Sequence, residues 1–352
     1  MLLVNLLVLL GSVGERRALA FCRTTTCKVP ASFQPTQDHC LTDAIERTCV
    51  IDQFLEGKTP HKPRPLWWRN RCVGYSMNVG GTSKLAFDDV SQVAKKAFAL
   101  WTNSSCPGAT DKSLPECPEG ANCASISVVE SGSRVSIDAR DLGTVECNDI
   151  GYFSGAANQN TILFRDTEWS DTKKNRRDSN VLALTTVSFD PTTGEIRSAD
   201  LEVNTFDHDF WIDSPDPAKG GNDFELLSVF AHEMGHFFGL AHSPDPLSLM
   251  FWSASGVKHD LTTDDIAGIC TIYPPSGKRS VHKEVSSTGF VEGERCDPTP
   301  RGGLGQTCAP RSGCAVTPTR TRGNTLAFAS FVTLAWAFFA RRGKRRRRRT
   351  GQ

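Results

Sequence analysis

Apolar positions along the chain fall into a few readable patterns. Over residues 87–101, Val90, Val93, Ala94, Ala97, Phe98 and Trp101 recur at i, i+3, i+4, i+7, i+8 and i+11, which predicts a helix with one buried face. Residues 67–78, 125–129 and 161–164 are short apolar or alternating runs and predict strands. So do 181–189 and 195–203, and Asp190-Pro191-Thr192-Thr193-Gly194 between them has the residues of a hairpin turn. A second helix is expected over 223–240, with Asn222 or Asp223 as N-cap and Gly239 near its end. A third should open at Thr262 or Thr263, because Thr262 and Asp265 have capping-box spacing. Strands alternating with helices imply an α/β (α+β) chain.

Composition adds compartment and partners. The chain has 352 residues, 39% hydrophobic and 22% charged, so its bulk is globular. Its net charge of +1 hides an asymmetry: eight of the 40 basic residues lie within 341–349, and 32 basic against 39 acidic remain elsewhere, a net of −7. An acidic body excludes nucleic acid as an expected partner. Thirteen cysteines, none at Cys-x-x-Cys spacing, imply disulfides and an oxidising compartment. Residues 1–10 are almost wholly apolar and Ala18-Leu19-Ala20 is a small-residue cleavage pattern, so 1–20 is expected to be a signal peptide. The usual basic n-region is missing, and a buried N-terminal strand is the alternative. Residues 21–65 read as a Cys-rich N-terminal segment and 66–275 as one domain. Residues 276–324 have linker composition and hold Cys308, Cys314 and Cys296, the first and last being candidates to pair.

The expected second helix carries the chemistry. It reads His232-Glu233-Met234-Gly235-His236-Phe237-Phe238-Gly239-Leu240-Ala241-His242. Residues four apart share a helical face, so His232 and His236 can reach one metal ion. Gly239 permits a turn with positive φ, which would bring His242 back as a third ligand. Three nitrogens and an open fourth position are the pattern of a catalytic zinc site. Glu233, next to the first ligand, is placed to act as general base and then acid. His-Glu-x-x-His alone arises often by chance; Gly239 and His242 at these offsets make the pattern far more specific.

With these residues the chain resembles the metzincin zinc peptidases. Met250, in Ser248-Leu249-Met250, matches the Met-turn of that clan. Ser243, directly after the third histidine, and Leu261-Thr262-Thr263-Asp264-Asp265-Ile266-Ala267-Gly268-Ile269 resemble the matrixins (matrix-metalloproteinase-like) in particular, of bacterial type. Other metzincin families have Asp or Glu at the position of Ser243. The resemblance covers about 66–275. It implies a metzincin fold: a mostly parallel twisted sheet with an antiparallel edge strand, a long active-site helix, a Met-turn and a C-terminal helix. It implies a zinc metalloendopeptidase, one catalytic Zn2+, and protein or peptide substrates paired by main chain along Leu182, Ala183, Leu184 and Thr185. Phe251 and Trp252 would wall the adjoining pocket. Animal matrixins hold a second, structural zinc, but Leu184 stands where they place a histidine, so none is expected here. Ca2+ has candidate ligands in Asp190, Asp200, Glu202 and Asp207, against which stands a solvated strand face and turn. Arg71-Cys72-Val73-Gly74 superficially resembles the inhibitory Cys motif of matrixin propeptides, but it falls in an expected strand, which favours a disulfided Cys72. A catalytically inactive surface adhesion protein on the same scaffold is the rival function; the presence of all three histidines and Glu233 argues against it.

The C-terminus forms a three-part tail: Cys314, an apolar run over 326–340, and the basic cluster. Residues 325–352 resemble a myxobacterial-type C-terminal sorting signal, with Cys314 as processing or attachment residue. That implies export to the outer cell surface or the extracellular space, with the tail touching the membrane before processing; the chain is expected to be a monomer. A permanent single-span anchor is the alternative.

Overall fold

The computed structural model describes residues 21–26, 63–106, 123–131, 159–169, 178–215, 223–254 and 256–299, and the backbone of 339–340. Its centre is a sheet built mostly of parallel strands. β1 (Asn70–Met77) takes β2 (Ser127–Glu130) in parallel along Cys72–Tyr75 and β3 (Thr161–Phe164) in parallel at Ser76 and Met77. β5 (Ile196–Val203) runs parallel to β3, and β4 (Ala183–Phe189) closes that side of the sheet antiparallel to β5. This is the metzincin arrangement expected from the sequence, with its antiparallel edge strand.

The β4–β5 turn forms as its residues require. The Asp190 carboxylate accepts from the Thr192 and Thr193 amides and the Thr192 hydroxyl. Gly194 takes φ +79°, a conformation open to glycine, and a β-carbon there would meet the Pro65 carbonyl at 2.3 Å. Trp67 then locks the turn through main-chain bonds to Gly194 and Ile196.

Helix α1 (Phe87–Thr102) buries Val90, Val93, Ala94, Ala97, Phe98 and Trp101, the residues its periodicity picked out. The indole of fully buried Trp101 donates to the Ala231 carbonyl, 2.8 Å away, tying α1 to α2 (Leu226–Phe237). The start of α2 departs from expectation. Asp223–Glu225 is a short strand, β7, parallel to β6 (Asp209–Trp211), and the helix begins only at Leu226, with Glu225 as N-cap and no side-chain cap bond. The polar–apolar–polar alternation of Asp223-Phe224-Glu225 suits a strand, and Phe224 packs on Phe210 and His208. Helix α3 (Thr263–Ile272) opens with the expected capping box between Thr262 and Asp265.

The folded body is wider than 66–275. At its N-terminal end, Thr24 and Cys22 make main-chain bonds to Gly239 and Ala241, and Thr26 to Arg64. At its C-terminal end, β9 (Lys278–Ser280) pairs with β10 (Phe290–Glu292), and β11 (Glu294–Cys296) pairs parallel with β1. Composition read this stretch as linker because residues 276–324 are rich in Gly, Pro, Arg and Thr, while its strands are only 3 residues long each. Arg279 anchors it: the fully buried guanidinium donates to the carbonyls of Trp68, Asn70 and Ser125 and to the Ser125 hydroxyl, and lies over the Tyr273 ring. Carbonyls in this number satisfy a buried cation's donors without a carboxylate.

A disulfide joins Cys72 to Cys296, and a second joins Cys106 to Cys270. Cys296 is therefore not the partner of Cys308, which lies outside the described residues, as does Cys314. All six described cysteines, Cys22 and Cys123 among them, are disulfide-bonded. The expected signal peptide (1–20) and the tail fall outside the described residues except for Phe339–Ala340 (β12), which pairs with Ser253–Ala254 (β8). Among the described residues no helix is long and apolar enough to cross a membrane.

Candidate metal centre

Helix α2 supplies the first two histidines and the chain's return supplies the third. The rings of His232 and His236 lie 4.9 Å apart, centroid to centroid. Gly239 ends the helical path with φ +96°, and a β-carbon there would meet the Leu66 carbonyl at 2.9 Å, so both torsion and space favour glycine. The turn brings His242 to 5.2 Å from His232 and 5.0 Å from His236. One ligand atom from each of the three lies within 4.8 Å of the others. Among the described residues no other group of three His, Cys, Asp or Glu side chains converges in this way.

Two backbone carbonyls set the rings. His232 Nδ1 donates to Leu249 and His236 Nδ1 to Leu240, both at 2.8 Å. A proton on Nδ1 puts the lone pair of a neutral ring on Nε2, the tautomer that ligates a metal ion. Leu240 also accepts from the Thr24 hydroxyl at 2.8 Å, so the N-terminal segment braces the same turn. Neutral nitrogen donors converging in threes suit zinc.

Met250 lies directly beneath the helix: a β-carbon on Gly235 would stand 2.1 Å from its sulfur. Asp265 holds this turn in place. Besides capping α3, its carboxylate accepts from the Ser248 hydroxyl and from the Leu249 and Met250 amides. Its neighbour Asp264 accepts from the Ser243 hydroxyl at 2.7 Å, fixing the residue after the third histidine. The sequence marked Asp265 as a cap; its second task is legible only once the turn is packed against it.

Residues 150–274 match the matrixin family of peptidases. His232, Glu233, His236, His242 and Met250 all lie within the matched stretch. It is similar to Metalloendoproteinase 1-MMP of Arabidopsis thaliana, 33% identical over 116 residues that cover 32% of this chain and 30% of that protein. Similar too are Matrix metalloproteinase-27 (48% identical over 58 residues, 16% of this chain and 11% of that protein) and Matrix metalloproteinase-20 (44% over 59, 16% and 12%), both of Homo sapiens. The chain thus spans less than a third of the length of each of these relatives.

The electrostatics of the centre follow from its burial. Burial, with His236 adding to it, holds His232 well below the ordinary histidine value, and burial lowers His236 to about 4. His242 is depressed by burial and by the two other rings. All three are neutral near pH 7, as metal ligands must be. Burial pushes the Glu233 carboxyl up to about 8, against an opposing hydrogen bond from Thr185. A dication at the histidines would act the other way and favour the carboxylate.

The other expected site residues divide. Leu182 and Ala183 lie at the edge strand beside α2, but their side chains are wholly buried core, so only their main chain could meet a substrate. The Asn204 amide bonds to Leu182, so alternation along the strand aims the N–H and C=O of Ala183 away from β5. Phe251 and Trp252 follow the turn as a tilted pair, 5.6 Å apart and half-buried. Leu184 packs with Trp169 and Val181 in a small apolar cluster. The four carboxylates considered for calcium are neither gathered nor a solvated strand face. Asp190 caps its own turn, Asp200 is buried and accepts from the Thr161 amide, buried Glu202 pairs with Arg165 at 2.6 Å, and Asp207 accepts from Asn204. Each carboxylate has its own protein partner.

Proposed function

We propose that this chain is an exported zinc metalloendopeptidase, with His232, His236 and His242 as ligands and Glu233 as general base. The observation that carries the reading is the convergence of three buried imidazoles, two of them on the helix that also carries the buried Glu233 carboxylate. A zinc ion bound there would polarise the scissile carbonyl and bring the pKa of a water in its open position towards ~7.

The chain's own residues supply the remainder. Glu233 Oε1 is buried and makes no hydrogen bond within the protein, so it is available to take a proton from the attacking water and return it to the leaving amine. The outward N–H and C=O of Ala183 offer an extended peptide a strand to pair with, since β4 has no second partner among the described residues. Main-chain pairing tolerates many sequences, which suits an endopeptidase of protein substrates. Phe251 and Trp252 favour an apolar substrate side chain. The disulfides support export, because such bonds persist in oxidising compartments. Cys314 and the tail keep their proposed role in sorting to the cell surface.

Incubating the full-length chain with a denatured protein, with and without 1,10-phenanthroline, tests the reading. Hydrolysis should disappear with the chelator and return with added zinc. Hydrolysis that ignores the chelator would refute it.

A further inference from the structure

One buried polar contact of the site comes from outside the histidine motif and is made by Thr185. It lies on β4, paired with Leu201 of β5, and is 1% exposed. Its hydroxyl stands 2.6 Å from Glu233 Oε2 and 3.2 Å from the Glu233 carbonyl. A hydroxyl has one proton to donate, and the shorter contact has the length of a charge-assisted bond to a carboxylate. The other oxygen, Oε1, is buried and makes no hydrogen bond within the protein.

The two oxygens of Glu233 are therefore unequal. One is held from the sheet, and the other is left for chemistry. A glutamate side chain has three rotatable bonds and substantial rotamer freedom, and helix α2 alone fixes only where it starts. Anchoring Oε2 to a strand fixes where Oε1 ends. Misplacement of a proton-transfer group by about 1 Å can cost on the order of 10²-fold in rate.

We infer that Thr185 is a positioning residue for the general base: its hydroxyl holds Oε2 of Glu233 so that Oε1 alone exchanges the proton. This rests on the peptidase reading above and adds a residue from outside the helix to it. Because β4 also offers its outer main chain to the substrate, one strand would set both the peptide and the base. Substrate register and proton transfer are then coupled through neighbouring residues, Ala183 and Thr185.

The test compares Thr185→Val and Thr185→Ser in the full-length, zinc-loaded chain. Valine keeps the β-branched shape and the strand preference while removing the donor. The expected result is a loss of about tenfold to a hundredfold in kcat for Thr185→Val, with KM within about twofold and zinc content unchanged. Thr185→Ser should recover most of that loss. A second measurement reads the contact without activity: a double-mutant cycle of Thr185→Val with Glu233→Ala on urea unfolding of the metal-free chain should show coupling of about tenfold in the unfolding constant. Wild-type kcat in Thr185→Val, no recovery by serine, or zero coupling would overturn the inference. An inactive wild type would instead refute the peptidase reading, and the positioning role with it.

Discussion

The sulfur of Met250 fills the space that a side chain on Gly235 would need. A β-carbon there would come within 2.1 Å of the sulfur and 2.9 Å of the Trp101 ring. The floor of the metal site is thus set by a glycine between the two helical ligands. Gly235→Ala has helix propensity in its favour, by roughly 1 kcal/mol. Overpacking, at about 1–3 kcal/mol, should outweigh that, for a net destabilisation of up to about 2 kcal/mol, read by urea unfolding, together with weaker zinc binding. An equally stable variant with unchanged zinc affinity would show that the floor is compliant.

Asp265 joins three elements through one carboxylate. Asp265→Ala would leave the Ser248 hydroxyl and the Leu249 and Met250 amides without this acceptor, and would remove half of the α3 capping box. Buried donors left unmet cost about 1–3 kcal/mol each before relaxation. A fall in Tm of several degrees is expected, with a greater loss of activity than Asp264→Ala causes. Equal, small effects at both positions would contradict the clamp.

Much of this fold is legible in the sequence because its period is strong. Helix α1, the β4–β5 hairpin and the α3 cap follow from patterns only a few residues wide. The histidines and Glu233 are legible for the same reason: their geometry is that of one helical turn and one glycine. What escapes is mostly long-range. Asp223–Glu225 is too short to show its partner, and β11 finds its own partner in β1, at the far end of the chain. Thr185 looks like any strand threonine until α2 packs against it. The Cys72–Cys296 bridge, with a sequence separation of 224, has no local signature.

That bridge makes a prediction of its own. Cutting the chain after Pro275 removes Cys296, Arg279 and β11 together. Closing so long a loop is worth on the order of 5 kcal/mol in the chain-entropy model. A 66–275 fragment should therefore unfold at markedly lower urea than the full chain. Thiol-modifying reagents should not raise the activity of the intact protein, since Cys72 is bonded to Cys296 rather than to the metal. Activation by such a reagent would contradict this.

The β4–β5 turn should give a measurable acid response. Burial raises the Asp190 carboxyl, but bonds from Thr192, Arg197 and Thr193 outweigh it and bring the pKa down to about 2. A pKa lowered in the folded state contributes stability above the unfolded value of roughly 4 and loses it as pH falls towards 2. Asp190→Asn should flatten that part of the pH dependence of the urea midpoint and leave pH 5–7 parallel to wild type. An unchanged acid slope would place the titration elsewhere.

The central claim is that three histidines hold zinc while Glu233 moves the proton. It is tested most directly by the turnover of Glu233→Ala, measured on full-length protein whose zinc content is determined in the same sample. The account predicts one zinc per chain, as in wild type, and turnover reduced by at least ~10²–10⁴-fold. Turnover near wild type with zinc bound would contradict it.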